Sequence, residues 1–315
     1  MTKRKQILLS LGFLILGSSY SEAQQTAMFG QFQYNMLELN PAYAGYRETF
    51  NISGIHRSQW VGFDGAPVTQ TLSFNKPLKT DEFAFGGALT HDKIGPTNSF
   101  NISMDGAYRI KLGHGRERTK LSFGLKGSIN RYQTNLTSVG IVDKGDESFL
   151  RNENGAWLPN VGAGAFLYGR TYFLGVSAPK LLTNRLVNRS SSLFEYMEGR
   201  EERTYYMTAG KVLKIRRQLS FYPAVLVKAT KNAPLSGGAF LNFIVMTEFK
   251  IGAYYNFKEV AGAIAQWQIS KKLRVGYTLE MPVTSLFGTN LGSHEIMLNY
   301  SIKKGRTAII YPKHF

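Results

Sequence analysis

The chain has 315 residues, no cysteine, and a formal net charge of +17 from 38 Lys and Arg residues against 21 Asp and Glu residues. The absence of cysteine excludes disulfides, thiolate metal sites, a cysteine nucleophile and a lipid anchor on an N-terminal cysteine. Aromatic residues make up 13% of the chain, yet its mean hydropathy is only −0.19. Such a chain can still lie in a membrane if lipid-facing and lumen-facing side chains alternate.

The N-terminus predicts a secretory signal peptide over residues 1–23. Basic residues at 3–5 precede an apolar run at 7–16, and Ser21-Glu22-Ala23 supplies the small residues that a signal peptidase reads. The apolar run is shorter than the ~20 residues that a spanning helix needs, which argues against a retained anchor. We therefore expect an exported protein that is cleaved after Ala23.

Residues 24–46 are predicted to form an N-terminal turn or plug-like segment. Asn40-Pro41 followed by Gly45 is typical of turns. Pro41 also disfavours helical geometry at Asn40. This segment leads into the first predicted strand.

Residues 47–303 carry an alternating pattern that predicts β-strands with two different faces. Leu121, Phe123 and Leu125 alternate with the small or polar Ser122 and Lys126, for example. We expect an all-β, antiparallel, up-and-down outer-membrane barrel of about 14 strands, with 12 to 16 left open because 236–256 fits one strand or two. The segments are 47–60, 67–78, 82–92, 98–111, 119–133, 157–168, 170–178, 202–214, 218–230, 236–246, 248–256, 259–269, 272–282 and 293–303.

The connections between these strands predict the orientation of the barrel. The longest, 134–156, 179–201 and 283–292, fall on one side, and the intervening turns are short. Long loops outside the cell and short periplasmic turns are usual for such barrels, so both ends of the strand set should be periplasmic. Pro312 suits a strand badly, and residues 304–315 are therefore predicted to be a periplasmic tail.

The predicted periplasmic turns are strongly basic. This rim could lie over anionic phospholipid heads or dock a periplasmic partner with acidic patches, and both readings stay open. Nucleic-acid binding is not indicated, because the charges sit in separate turns of an exported protein. The predicted rim comprises Arg116, Arg118, Lys214, Arg216, Arg217, Lys271, Lys272, Lys303 and Lys304.

Catalytic and metal-binding patterns are not evident in the sequence. The five histidines lack metal-ligand spacing, and there is neither a Gly-x-Ser-x-Gly elbow nor a phosphate-binding loop. We therefore expect no enzymatic activity, no cofactor and no metal.

Three ordered stretches resemble one known family. They are QFQYNMLELNPAYAG at 31–45, RSQWVGFDGAPVTQ at 57–70 and GGALTHDKIGPTN at 86–98, and GSHEIMLNY at 292–300 adds a C-terminal match. This set looks like the PorP/SprF-like membrane proteins of the Bacteroidetes type IX secretion system. The resemblance covers essentially the whole mature chain.

The resemblance implies an outer-membrane protein associated with secretion, gliding motility and surface attachment of large adhesins. An arbitrary member is expected to help export or anchor one adhesin through the adhesin's C-terminal domain. The alternatives are a core secretion component that docks periplasmic secretion or peptidoglycan-binding proteins, and a substrate-selective channel for hydrophobic or small solutes.

By strand parity the second and third stretches contribute to loops on the outer side, where a partner could bind. The turn residues that shape these loops are Gly62, Gly65, Pro67, Gly95 and Pro96. The same residues could instead serve only to end strands and anchor the barrel. The candidate partner contacts are Arg57, Gln59, Trp60, Asp64, Asp92 and Lys93.

Overall fold

The structure is a computed structural model that describes residues 28–78, 82–112, 119–135, 153–185, 200–231, 233–257, 259–284 and 288–302. The predicted signal peptide and periplasmic tail lie outside these ranges. Four residues of the predicted basic rim also lie outside them, namely Arg116, Arg118, Lys303 and Lys304.

Fourteen antiparallel strands close into one barrel, which confirms the predicted fold class and strand number. β10 and β11 are two parts of one strand interrupted at Val212, and both pair with β12. The pair β8 and β9 forms a separate hairpin. The strands are β1 (Phe50–Ser58), β2 (Val68–Pro77), β3 (Phe83–Ile94), β4 (Thr97–Leu112), β5 (Thr119–Thr134), β6 (Glu153–Tyr168), β7 (Tyr172–Lys180), β8 (Asn184–Arg185), β9 (Arg200–Glu201), β10 (Thr204–Lys211), β11 (Leu213–Arg216), β12 (Leu219–Thr230), β13 (Ser236–Val245), β14 (Phe249–Asn256), β15 (Val260–Gln268), β16 (Leu273–Pro282) and β17 (Ser293–Ile302).

The barrel has an apolar outside and a polar inside. On β2, Thr71 and Ser73 are buried, whereas Leu72 is 51% exposed and Phe74 is 36% exposed. The same alternation repeats on β5, where Ser122 is buried and Leu125 is exposed. An outer face of this kind suits lipid contact, and the inner face suits a polar lumen.

The two ends of the barrel differ in the length of their connections. We call one end the loop rim, formed by the described residues within 59–67, 95–96, 181–203, 231–235, 257–259 and 283–292. The other end, the turn rim, is formed by the described residues within 78–82, 169–171, 217–218, 246–248 and 269–272. The sequence predicts that the loop rim faces the cell exterior. None of the helices that the structure describes is long and apolar enough to cross a membrane.

Residues 28–46 lie inside the barrel, and we call them the lumenal segment. They form a short helix, α1 (Met36–Leu39), between two 3-10 turns, Phe32–Tyr34 and Pro41–Tyr43. Their aromatic side chains are buried among rings from the wall. The ring centroid of Phe32, for example, lies 4.7 Å from that of Phe240.

The lumenal segment runs from the loop-rim half of the lumen to the turn rim. Met28 Sδ lies 3.6 Å from the hydroxyl of Ser236, where β13 begins at the loop rim. Just beyond the segment, Glu48 pairs with Lys120 of β5 at 3.0 Å near the turn rim. The strand set does begin and end at the turn rim, but the preceding chain comes from the opposite half of the lumen.

Glycines in the wall make room for the lumenal segment. A Cβ added at Gly124 of β5 would lie 2.2 Å from the backbone N of Ala42 and 2.4 Å from the carbonyl C of Pro41. Those distances are far below contact, so a side chain at 124 and the segment cannot share this space. Gly127 on the same strand is different, because a Cβ there would meet nothing within 4 Å.

We expect Gly124→Val to displace the lumenal segment and to lower barrel stability by about 1–3 kcal/mol, the usual cost of overpacking. Thermal unfolding of the purified barrel and protease protection of residues 28–46 would measure both effects. Gly127→Val is the matched control and should leave both unchanged. Equal behaviour of the two variants would contradict close packing of the segment against β5.

Candidate functional site

A buried ion cluster joins the barrel wall to the lumenal segment near the loop rim. Arg57 Nη1 lies 2.5 Å from Glu280 Oε1 and 3.3 Å from Glu295 Oε2. Glu295 also accepts hydrogen bonds from the backbone N–H groups of Gly30 at 3.2 Å and Gln31 at 2.8 Å. A carboxylate of β17 thus holds the start of the lumenal segment, and Arg57 of β1 compensates its charge.

Arg57 was predicted to contact an extracellular partner, and its position contradicts that prediction. Arg57 is 3% exposed and points into the lumen. Strand parity explains the position, because Arg57 shares its face with the buried Asn51 and Ser53 of β1. Glu280 and Glu295, its two partners, were not among the candidate residues.

Asn40, a predicted turn residue, fastens the middle of the lumenal segment. Its Oδ1 accepts from the backbone N of Ala42 at 2.9 Å, which caps the 3-10 turn that Pro41 begins. Its Nδ2 donates to the carbonyl oxygens of Ala165 at 3.1 Å and Val176 at 3.3 Å. One side chain therefore fixes the local turn and docks it against β6 and β7.

Gly45 fastens the end of the segment at the turn rim. Its N–H donates to Asn75 Oδ1 at 2.6 Å, and its carbonyl accepts from Arg109 Nη1 at 2.7 Å. Its φ is +76°, and a Cβ at this position would lie 2.3 Å from that of Ala84. Both the backbone conformation and the close approach therefore require glycine.

The first loop of the loop rim, residues 59–67, is hydrogen bonded to loops on both sides. Gly95 N–H donates to Gly65 O at 2.8 Å, so the two predicted outer motifs meet. On the other side the backbone N–H of Val61 donates to the carbonyl oxygen of Gly292 at 2.9 Å. Gly62, Gly65 and Gly95 all have positive φ, as their turn positions demand.

Trp60, the second residue of this first loop, has an unusual backbone conformation. Its φ is +45°, which is rare for a large side chain. The backbone N–H of Trp60 donates to the hydroxyl of Ser293 at 3.2 Å, and that of Gln59 donates to Pro67 O at 2.9 Å. Neighbouring groups thus hold the strained residue in place.

The other predicted partner contacts occupy several environments. Asp64 and Lys93 are exposed, whereas Gln59 and Trp60 are half-buried. Asp92 is also half-buried and accepts from the hydroxyl of Thr69 at 2.6 Å. Exposed apolar side chains on the same rim were not predicted from the sequence. They include Phe63, Leu235 and Leu291, with exposed fractions of 42%, 72% and 68%.

The β8–β9 hairpin is tied to the barrel by an ion pair. Lys180 Nζ lies 2.5 Å from Glu201 Oε1, and Asn160 Nδ2 donates to Glu201 Oε2 at 3.0 Å. Burial raises the pKa of Glu201, but Lys180 and these hydrogen bonds outweigh burial and leave the pKa lowered. Glu201 is therefore ionised at neutral pH, and the hairpin stays attached.

The described part of the predicted basic rim is exposed at the turn rim. Strands β10–β11 and β16 place Lys214, Arg216, Arg217, Lys271 and Lys272 there. No residue in the described part of the wall covers these side chains, so they are available to lipid or to a partner.

The described residues contain no group of three or more His, Asp or Glu side chains that could hold a metal ion. The two adjacent carboxylates, Glu280 and Glu295, are paired with Arg57 rather than with each other. Glu280 also accepts from the hydroxyl of Tyr254. This arrangement serves to hold the wall and the segment together.

Replacing Arg57 with Met should leave two buried carboxylates without a compensating charge. We expect a loss of about 3–5 kcal/mol in unfolding free energy, as for other broken buried ion pairs. Adding Glu280→Gln and Glu295→Gln in the same chain should restore much of the lost unfolding free energy. Denaturant unfolding of the three forms would measure this, and a triple variant less stable than Arg57→Met would contradict it.

Comparison with solved structures finds one outer membrane protein and several porins. They include outer membrane protein Omp33 of Acinetobacter baumannii, at 12% identity and a TM-score of 0.42, covering 81% of this chain and 98% of that one. NanC porin matches at 9% identity and a TM-score of 0.39, covering 81% and 100%. KdgM porin matches at 8% identity and a TM-score of 0.36, covering 80% and 99%.

No curated protein matches the chain. The family described as Type IX secretion system membrane protein PorP/SprF matches residues 21–300. This range contains all four of the motif stretches quoted above, and all of the described strands except the last two residues of β17. The chain therefore belongs to the PorP/SprF family and is an outer-membrane barrel of the type IX secretion system.

Proposed function

We propose that this barrel is a docking platform that helps to export or anchor a large cell-surface adhesin, as an accessory of secretion and gliding. The partner surface would be the C-terminal domain of the adhesin, bound at the loop rim. The observation that carries this proposal is that the lumen is filled by the protein's own lumenal segment, whereas the loop rim is shaped and partly apolar.

The filled lumen favours a surface role over transport through the barrel. The segment forms hydrogen bonds with opposite parts of the wall, from Asn75 of β2 to Glu295 of β17 and Ser177 of β7. The void described beside it, lined by Gln33, Arg47 and Asn51 among others, holds only about 10 Å³. That is about the space that one water molecule needs.

The first loop supports partner binding at the loop rim. Its hydrogen bonds to two neighbouring loops fix its backbone, so a partner would meet a preformed surface and lose little entropy in ordering it. Phe63 and Leu291 present apolar side chains from two of these bonded loops, beside the charged Asp64. Apolar groups surrounded by polar ones are typical of protein interfaces.

The proposed function also implies where the protein is located. The mature protein would be a multi-pass outer-membrane protein that is exported through a cleaved signal peptide, with the loop rim on the cell exterior and the basic turn rim in the periplasm. Asymmetric loop lengths support this orientation.

A core secretion role is the second candidate, and the turn rim favours it. Arg216 and Arg217 are exposed in one tight turn, and Lys271 and Lys272 in another. A periplasmic complex with acidic patches could dock on these charges. The two candidates use opposite ends of the barrel, so separate variants distinguish them.

We expect one very large exported protein to co-purify with the tagged barrel from native outer membranes in mild detergent, as identified by mass spectrometry. Phe63→Ser with Asp64→Ala should reduce its recovery about tenfold, as loss of a central interface residue commonly does. Leu235→Ser, an exposed apolar residue on another loop of the same rim, is the control and should not.

The opposite rim gives the contrasting outcome. If only periplasmic secretion components are recovered, and if Arg216→Glu with Arg217→Glu abolishes their recovery while the loop variant does not, the core role replaces the anchoring role. A barrel recovered alone would contradict both.

The channel alternative predicts stable ion conductance, and the filled lumen predicts very little. We expect the purified wild-type barrel in planar bilayers to remain closed, because the buried lumenal segment occupies the described part of the lumen. Gly124→Val, which should displace the segment, is expected to show open events. Steady porin-like conductance of the wild type would favour a substrate-selective channel.

A further inference from the structure

The outer face of the barrel carries a row of polar and aromatic side chains near the loop rim, where a lipid-facing surface would otherwise be apolar. Each member is paired directly with the next on the neighbouring strand, from β1 to β6. We call this the outer polar row, and it consists of His56, Gln70, His91, Phe100, Arg131 and Trp157.

The row lies close to the loop-rim ends of its strands. His56 is two residues before Ser58, the last residue of β1, and Trp157 is four residues after Glu153, the first of β6. Basic side chains on the lipid face cost about 2–4 kcal/mol at the membrane midplane but only about 0–1 near the interface. The row therefore suits the headgroup level of the leaflet at the loop rim.

An apolar dent of about 380 Å³ adjoins the row on the side nearer the middle of the membrane. It is lined by Leu72 and Leu89 and by Ile296 and Leu298, with the histidines of the row at its edge. Gly54 creates the dent, since a Cβ there would meet nothing within 4 Å. A hydrocarbon chain fits such a space, whereas the polar edge does not suit one.

The row supplies hydrogen-bond donors and positive charge but no carboxylate. The guanidinium of Arg131 stacks on the Trp157 ring, 5.3 Å from its centroid, and its buried Nε has no partner in the described structure. Imidazole donates an N–H in either protonation state. Lys93, two residues from His91 on the same face, adds an exposed cation.

We propose that the outer polar row and the adjoining dent bind a phosphorylated, acylated glycolipid of the lipid A class. A phosphate would accept hydrogen bonds from the row, and one acyl chain would occupy the dent over Gly54. Complementary charge favours this ligand over a zwitterionic lipid. The proposal needs the loop rim to face the cell exterior, but it is independent of the partner protein bound there.

Native mass spectrometry of the full-length barrel with added lipid A tests the proposal. We expect diphosphorylated lipid A to be retained at least tenfold better than its dephosphorylated form or phosphatidylethanolamine. Combined His56→Leu, His91→Leu and Arg131→Leu should remove this preference while the barrel stays folded, since leucine suits a lipid-facing position.

Glycine variants test the dent separately. Gly54→Phe should fill it and reduce lipid A retention severalfold. Gly127→Phe is the matched control, because Gly127 also lies on the outer face with open space around it. Three results would overturn the proposal. They are equal retention of phosphorylated and dephosphorylated lipid A, stronger retention of phosphatidylglycerol than of lipid A, and equal retention of lipid A by the two glycine variants. Folding of each variant is checked by the heat-modifiable shift of the barrel on gels.

Discussion

The polar lining of the lumen is the constraint on which the rest of this structure depends. An outer face that meets lipid must be apolar, and strand alternation then turns the polar side chains inward. Inside the barrel those groups lose bulk water and have to find partners, because an uncompensated buried charge is costly. Wall pairs such as Lys126 and Asp105, with Nζ 3.1 Å from Oδ1, satisfy part of this demand. The lumenal segment satisfies much of the remainder.

The lumenal segment and the wall satisfy each other. Gln31 shows this, since its Nε2 donates to the hydroxyl of Thr278 at 2.9 Å and its Oε1 accepts from Gln266 at 2.6 Å. Gln33 accepts from Lys250 of β14, whose ammonium also lies 4.9 Å from the centroid of the Tyr222 ring. Because so many polar groups depend on the segment, its departure would expose them, and a filled lumen is the stable state. That leaves the two rims as the surfaces that the proposed function requires.

The fold could be predicted from the sequence because period-two alternation is a local signal, and each of the fourteen segments carries it. The lumenal contacts could not, because they join residues far apart in sequence. Gly30 and Glu295, for example, are separated by 265 positions. Turn chemistry did identify Asn40 and Gly45 as special, but it did not reveal what they contact.

Arg57 shows where a stronger signal was available. The alternation of β1 places Arg57 on the same face as Asn51 and Ser53, and applying that parity would have assigned it to the lumen. Its position in a conspicuous motif favoured a partner-contact interpretation instead. The acidic partners on β16 and β17 obey the same rule, since Glu280 shares the inner face with Thr278, and Glu295 with Met297. Charged residues on the lumenal face of a predicted barrel strand are therefore better first read as lumenal ion pairs.

The stretches that identify the family form one connected unit in three dimensions. The first and third are joined by the hydrogen bond from the Thr90 hydroxyl to Glu38 at 2.8 Å, and the second and third by that between Gly95 and Gly65. The C-terminal stretch joins the first two through Glu295, which contacts both Gln31 and Arg57. The family signature thus specifies how the lumen is filled and how the first loop is fixed. On the proposed function, the same first loop also presents Phe63 and Asp64 to the partner, so one stretch of the signature would both fix the loop and contribute to the surface that it displays.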